Sequence, residues 1–135
     1  MKLITRDTDY AIRALIFIAK YKNKIVPASQ LVKALKIPRP FLRKLLQRLN
    51  REGILKSYKG SGGGFLLAKP GNKINIIDLI KIFRGELKLN ECLFKKSICP
   101  NIKTCVLRKK INNIEKYVIS QLKSITITTL LREGG

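Results

Sequence analysis

Apolar residues recur along the start of the chain at the three- and four-residue spacings of a helix. Tyr10, Ala11, Ala14, Leu15, Ile18 and Ala19 make one stripe, which predicts a first helix opened by Thr8 or Asp7 and ending near Lys22-Asn23. After Ile25-Val26-Pro27, the run Ala28 to Leu35 carries Leu31, Val32 and Leu35 on one face. This predicts a short helix that Pro27 or Ala28 opens and Ser29 helps to cap. Lys36-Ile37-Pro38 breaks it. Pro40 suits the first turn of a third helix, in which Phe41, Leu42, Leu45, Leu46 and Leu49 face a core while Arg39, Arg43, Lys44, Arg48 and Arg51 point elsewhere. Gly53 is placed to end that helix.

The period then shortens. Ile54 to Tyr58 and Phe65 to Ala68 read as strands, so Lys59-Gly60-Ser61-Gly62-Gly63-Gly64 between them is a hairpin loop whose glycines are free to take positive φ. A phosphate-cradling loop is the competing reading, but the G-x-x-x-x-G-K-[ST] pattern is missing and a strand, not a helix, follows. Pro70-Gly71-Asn72 turns the chain, and Asn75 caps a helix carrying Ile76, Ile77, Leu79, Ile80 and Phe83 that Gly85 stops. From Glu86 to Cys105 periodicity fails, leaving an irregular loop of about twenty residues, long for a small domain. Beyond it Ile111, Ile114, Val118, Leu122 and Ile125 recur at intervals of 3, 4, 4 and 3. That is a coiled-coil-like seam on a helix of about seventeen residues or more, suited to pairing with a second copy across a two-fold axis. Packing on its own domain is the competing reading, and Thr126 to Leu131 reads as a separate short helix. The predicted fold is mainly α with a small β-hairpin: a winged helix-turn-helix DNA-binding domain over 1–85, a Cys-containing loop over 86–106, and a dimerisation helix with its C-terminal tail over 107–135.

Charge turns this outline into a candidate function. Among 135 residues there are 29 Lys and Arg, 8 Asp and Glu and no His, for a formal charge of +21. Lysine richness can reflect genomic base composition alone. The scarcity of acids is harder to dismiss: from Lys20 to Lys59 twelve basic residues face one acid, Glu52, and such a field favours nucleic acid as partner. An anionic membrane surface competes, yet no stretch approaches a spanning helix and the start lacks a signal peptide's apolar core, so the expected compartment is the cytoplasm. Without His there is no Ser-His-Asp or Cys-His catalytic unit and no His-bound haem. No C-x-x-C or general base suggests a redox enzyme either, so the protein is read as a non-enzyme.

A recognition helix offers its N-terminal residues to base edges while flanking cations neutralise phosphates. Arg39, Arg43 and Lys44 occupy that end. Arg43 is the first candidate for bidentate contact with guanine, whereas Arg48, Arg51 and Lys56 suit phosphates. Lys59 with Ser61, Gly62 and Gly63 can enter or skirt an adjacent minor groove. For each residue taken singly, simple solvation is the alternative.

These residues resemble the small dimeric winged-helix regulators of the IscR/NsrR type, the Rrf family. The resemblance spans nearly the whole chain. It rests on Met1-Lys2-Leu3 with Thr8-Asp9-Tyr10-Ala11-Ile12-Arg13, on Ile37-Pro38-x-x-Phe41-Leu42-x-x-Leu45-Leu46-x-x-Leu49, on Gly60-Ser61-Gly62-Gly63-Gly64-Phe65-x-Leu67, and on the three-Cys loop before a long helix. It implies a homodimer that binds a double-stranded DNA operator, usually as a repressor, with an iron-sulfur cluster controlling affinity in response to nitric oxide, oxygen, iron or redox state. Arg43 stands where IscR-like proteins carry an acidic residue that affects site choice, so a different operator is implied.

Three Cys in a reducing compartment argue against a disulfide framework. The spacing Cys92-x6-Cys99-x5-Cys105 lacks the close pair of a zinc site, and by itself leaves a cluster, redox-sensing thiols and incidental Cys all open. The resemblance favours the cluster. Where IscR-like members have a His three residues past the last Cys, this chain has Arg108, which cannot be a ligand. Some NsrR-like relatives use a carboxylate from the start of the partner's first helix, and Asp9 matches that place; three Cys with Asp9 suggest 4Fe-4S rather than 2Fe-2S. Asp9 can equally be a first-turn carboxylate favoured by the helix dipole, and Glu91, Asp7 or a small exogenous ligand are further candidates. The alternative function is a cluster-free regulator of the same fold, controlled by thiol oxidation or a protein partner.

Overall fold

The structure, a computed structural model, describes residues 3–85 and 106–134. In chain order it has α1 (Arg6–Lys20), α2 (Ala28–Leu35), α3 (Arg39–Arg51), β1 (Leu55–Tyr58), β2 (Gly64–Leu67), a 3-10 turn (Gly71–Lys73), α4 (Ile76–Arg84), α5 (Val106–Ser124) and α6 (Ile127–Glu133). The mainly helical winged-helix expectation holds. The Cys loop, with Cys92, Cys99, Cys105 and Glu91, lies outside the described residues.

Helix α1 begins two or three residues earlier than the apolar stripe suggested. Its cap is Thr5, neither Thr8 nor Asp7: the Thr5 hydroxyl accepts from the Thr8 amide at 3.3 Å and pairs with the Thr8 hydroxyl at 3.0 Å. Thr8 is thereby a fully buried third residue of the helix. Asp7 and Asp9 fall in the first turn, where carboxylates oppose the positive end of the helix dipole. The helix also stops short of Lys22-Asn23, because the Tyr21 amide closes on Ile18 and Asn23 takes φ 60°. Helix α2 opens at Pro27 with no side-chain cap, so Ser29 does not play the expected part, and it ends on left-handed Lys36. Pro38 caps α3, with Pro40 in the first turn as expected.

Past the end of α3 the Gly53 amide bonds Asn50 and the Ile54 amide bonds Leu49. With φ 77° at Gly53 this is a Schellman ending, and it drops Ile54 into the core beside Leu49. Strands β1 and β2 pair antiparallel, Leu55 opposite Leu67 and Tyr58 opposite Gly64. In β1 only Leu55 is buried; Lys56, Ser57 and Tyr58 are all exposed, because the hairpin projects beyond the body that would cover one of its faces. The segment before α2 adds a third edge: Val26 and Phe65 exchange both backbone hydrogen bonds, at 3.0 and 2.9 Å.

One core gathers Ala11, Ala14, Leu15 and Ile18 of α1, Leu31 of α2, Leu42, Leu46 and Leu49 of α3, Leu79 and Ile80 of α4, and Ile127 of α6. Each fully buried Leu or Ile contributes about 1.5–3 kcal/mol relative to exposure. Tyr10 and Phe41 meet edge to face with centroids 5.6 Å apart, fixing α1 against α3. The C-terminal segment is no mere tail, since α6, capped by Thr126, packs along α1 and contributes wholly buried Ile127. Around Asn75 and Thr126 the chain forms an antiparallel bridge, with Ile76 donating to Ile125 and Ile127 to Ile74.

Helix α5 has 19 residues and no buried one. The predicted seam divides: Leu122 and Ile125 pack against the core of their own chain, Ile111 and Val118 are half-buried, and Ile114 is 55% exposed. The division arises because the C-terminal end of α5 docks on α4. Val106, Leu107 and Tyr117 add to the exposed apolar surface of this helix.

Candidate nucleic-acid interface

Four leucines, Leu42, Leu45, Leu46 and Leu49, turn one side of α3 inward and so sort its polar residues into two flanks. On the first flank Arg43, Gln47 and Asn50, spaced four and three apart, line a groove shared with Ser57, Tyr58, Lys59 and Gly63 of the wing. On the second, Lys44, Arg48 and Arg51 line a depression bounded by Phe41, Ile82, Phe83 and Asp7. Gln47 borders both. Arg39 is exposed at the start of the helix. The structure therefore brings Arg43, Lys59 and Gly63 together and sets Lys44, Arg48 and Arg51 apart from them.

Of the expected phosphate ligands, Arg48 is engaged elsewhere. Its Nε donates to Glu52 Oε1 at 3.2 Å and its Nη2 to the Ile82 carbonyl at 3.1 Å, so it holds α3 to the last turn of α4. Lys56 and Lys59 are exposed on the wing. Glu52, the one acid between Lys20 and Lys59, is paired with Arg48, and the groove that Arg43 and Lys59 share has no acid among its described lining residues, whereas Asp7 stands among the cations of the second flank.

The wing tip is a tight turn. Gly63 donates to the Gly60 carbonyl at 3.0 Å and Gly62 has φ 78°, the type II arrangement that asks for glycine at the third position. Ser61 and Gly62 are exposed and Gly63 is partly covered. A Cβ on Gly63 would collide with the Tyr58 carbonyl oxygen, and one on Gly64 with the Val26 carbonyl oxygen. The glycine run thus lets three backbone segments approach closely as well as turn.

Reasoning from sequence missed Gln47, Asn50 and Tyr58. The first two were discoverable, since they stand four and seven residues after Arg43 on the same helical face; Tyr58 was read only as a strand residue.

Asp9, the expected fourth ligand, has its Oδ2 3.1 Å from Arg13 Nε, with the carboxylate side chain 43% exposed. Such an exposed pair contributes about 0.3–0.5 kcal/mol, so a metal centre could take the carboxylate at small cost. Asp7 is half-buried and Arg108 lies in the first turn of α5. Among the described residues no group of three or more His, Cys, Asp or Glu is arranged to hold a metal ion. No helix among them is long and apolar enough to cross a membrane.

A family model described as Rrf2, iron-dependent transcriptional regulator, matches residues 4–133. The chain is 34% identical over 132 residues to a protein of Aquifex aeolicus assigned as an HTH-type transcriptional regulator, covering 96% of this chain and 92% of that one. Among solved structures it is similar to CymR, the global cysteine regulator of B. subtilis, with a TM-score of 0.79, 22% identity and 98% of each chain covered. It is also similar to T. potens IscR, with a TM-score of 0.76, 22% identity, and 100% of this chain and 89% of that one covered.

Proposed function

This chain belongs to the Rrf2 family of DNA-binding transcriptional regulators, and on that premise we propose that it acts as a homodimeric repressor whose operator affinity depends on an iron-sulfur cluster. The observation that carries the DNA-binding part is the groove between α3 and the wing, where Arg43, Gln47, Asn50, Tyr58 and Lys59 converge. With α3 in the major groove, Arg43 addresses a guanine edge, and Gln47 and Asn50 have the amide groups that pair bidentately with adenine. Lys44, Arg51 and Lys56 neutralise phosphates on either side, while Lys59 and the glycine tip lie along the adjoining minor groove. Two copies joined through α5 would present half-sites about 34–36 Å apart.

The sensing part rests on the donor set. Cys92, Cys99 and Cys105 are soft ligands suited to iron-sulfur ligation, and Asp9 from the second copy, whose carboxylate among the described residues makes an exposed pair with Arg13, would complete a 4Fe-4S site. When bound, such a group supplies a centre that reacts with oxidants or nitric oxide. On the protein side, a ligating Asp9 would tie the start of α1 to the other subunit, and the presence or absence of that tie would bear on how the two α3 helices sit relative to one another. A second reading, a cluster-free regulator governed by thiol oxidation or a partner protein, is favoured by the likeness to CymR and by Arg108 at the place of a ligand His.

The test is anaerobic purification with iron and sulfide counted per subunit, followed by operator titration of the loaded and stripped forms at several salt concentrations. The proposal expects iron, a steep salt dependence and different affinities for the two forms. Equal affinities would remove cluster sensing and leave DNA binding; iron-free protein that resists reconstitution would favour the second reading.

A further inference from the structure

We propose that the depression on the far flank of α3 is a binding site for a free amino acid with an apolar side chain. Its volume is about 330 Å³, at the lower end of the range of small-molecule sites. Phe41, Ile82 and Phe83 supply apolar walls, while Lys44, Arg51 and Asp7 stand at the same opening. Among the described residues these three charged groups have no hydrogen-bond or ion-pair partner. Arg48, the third cation lining the depression, is taken up by Glu52 and the Ile82 carbonyl, which leaves two cations, one carboxylate and an aromatic wall that match a zwitterion with an apolar body: its carboxylate on Lys44 and Arg51, its ammonium on Asp7, its side chain on Phe41 and Phe83. A purely apolar ligand would leave the cations unused, and a simple anion would place its charge beside Asp7.

The site is bounded on one side by the recognition helix and on the other by the last turn of α4, joined there by the Arg48 bond to Ile82. Lys44 and Arg51 are also the cations assigned above to phosphates, so a bound carboxylate takes from DNA the groups that DNA needs. Ligand and operator then oppose each other, and by linkage each weakens the other by the same factor. Only this last consequence rests on the DNA-binding reading.

Isothermal titration of the full, DNA-free dimer with L-phenylalanine and L-leucine tests the site. The expected result is one molecule bound per subunit, with binding weakened at least about tenfold, the loss of one charge-assisted contact, for phenethylamine, which lacks the carboxylate, and for 3-phenylpropanoate, which lacks the ammonium. Asp7→Asn should weaken L-phenylalanine to a similar extent while leaving 3-phenylpropanoate unchanged or tighter. No binding of either amino acid at millimolar concentration overturns the proposal, as does binding insensitive to loss of carboxylate and ammonium in the analogues, a comparison that needs no variant to fold. Amino-acid binding without any operator binding would keep the site and defeat the DNA-binding reading; operator binding unaffected by saturating amino acid would overturn the antagonism.

Discussion

Arg48, in the last turn of α3, donates from Nη2 to the carbonyl oxygen of Ile82 at 3.1 Å, across 34 positions of sequence. Ile82 belongs to the last turn of α4, so the bond fastens the helix proposed to read DNA to the element that precedes the three cysteines in sequence. A cation that composition assigns to the DNA face is thus committed to the protein's own frame.

Arg48→Met should keep the aliphatic stem and lose both bonds. Because the side chain is partly exposed, the expected loss of stability is about 0.5–1.5 kcal/mol, read as a lower urea midpoint with an unchanged slope. The slope of operator affinity against salt should stay as in the wild type, whereas a phosphate ligand would lower it by about one.

Arg43 and Lys59 line one groove yet should fail differently. Arg43→Ala is expected to cost about 1–3 kcal/mol on the preferred operator and to relax preference at one base pair. Lys59→Ala should weaken every sequence alike and reduce the salt slope by about one. Competition binding across a set of single-base operator variants separates the two outcomes.

Gly64→Ala would press a methyl group onto the Val26 carbonyl and force apart the Val26–Phe65 bridge. We expect a destabilisation of about 1–3 kcal/mol, a lower melting temperature, and loss of amide protection at Phe65 in hydrogen exchange. An alanine at exposed, left-handed Gly62 meets no atoms nearby and should cost less, about 1 kcal/mol.

Asp9→Ala should lower iron retention after anaerobic reconstitution, and Arg13→Ala, which frees Asp9 from its 3.1 Å pair, should leave retention equal or improved. Iron and sulfide counts on both variants check this. Retention unaltered in Asp9→Ala would remove Asp9 from the ligand set.

Ile114 and Tyr117 are 55% and 65% exposed in the single chain. Replacing Ile114 with Glu should shift sedimentation from dimer to monomer without lowering helix content, since neither side chain supports its own core. Leu122→Ala, by contrast, should reduce the stability of each subunit, because Leu122 packs against the core residues.

The helix periodicity of Leu42, Leu45, Leu46 and Leu49, the Asn75 cap, Gly53 past the end of α3 and the glycine hairpin were all legible in the sequence. Each depends on contacts within a few positions of chain: a repeat of 3.6, a side chain reaching three residues on, a backbone angle that glycine alone takes easily. The outward set of cations on α3 followed from the same local rules, whereas the Gly63 to Gly60 hydrogen bond that closes the wing tip came only with the structure. For the interface, sequence located the helix and the wing but divided the cations poorly, since outward-facing is all that a helical repeat can say.

What only the tertiary structure decided is which neighbours those outward residues meet. The Val26 edge, the return of α6 onto α1, the docking of Leu122 and Ile125 on their own domain, and the diversion of Arg48 to Ile82 all join segments far apart in the chain. No local propensity encodes them. They arise when the core closes and each remaining hydrogen-bonding or apolar group takes the best partner the packed geometry leaves within reach, so the sequence by itself determined the elements and their chemistry, and the folding of one against another determined which of those residues were left for DNA.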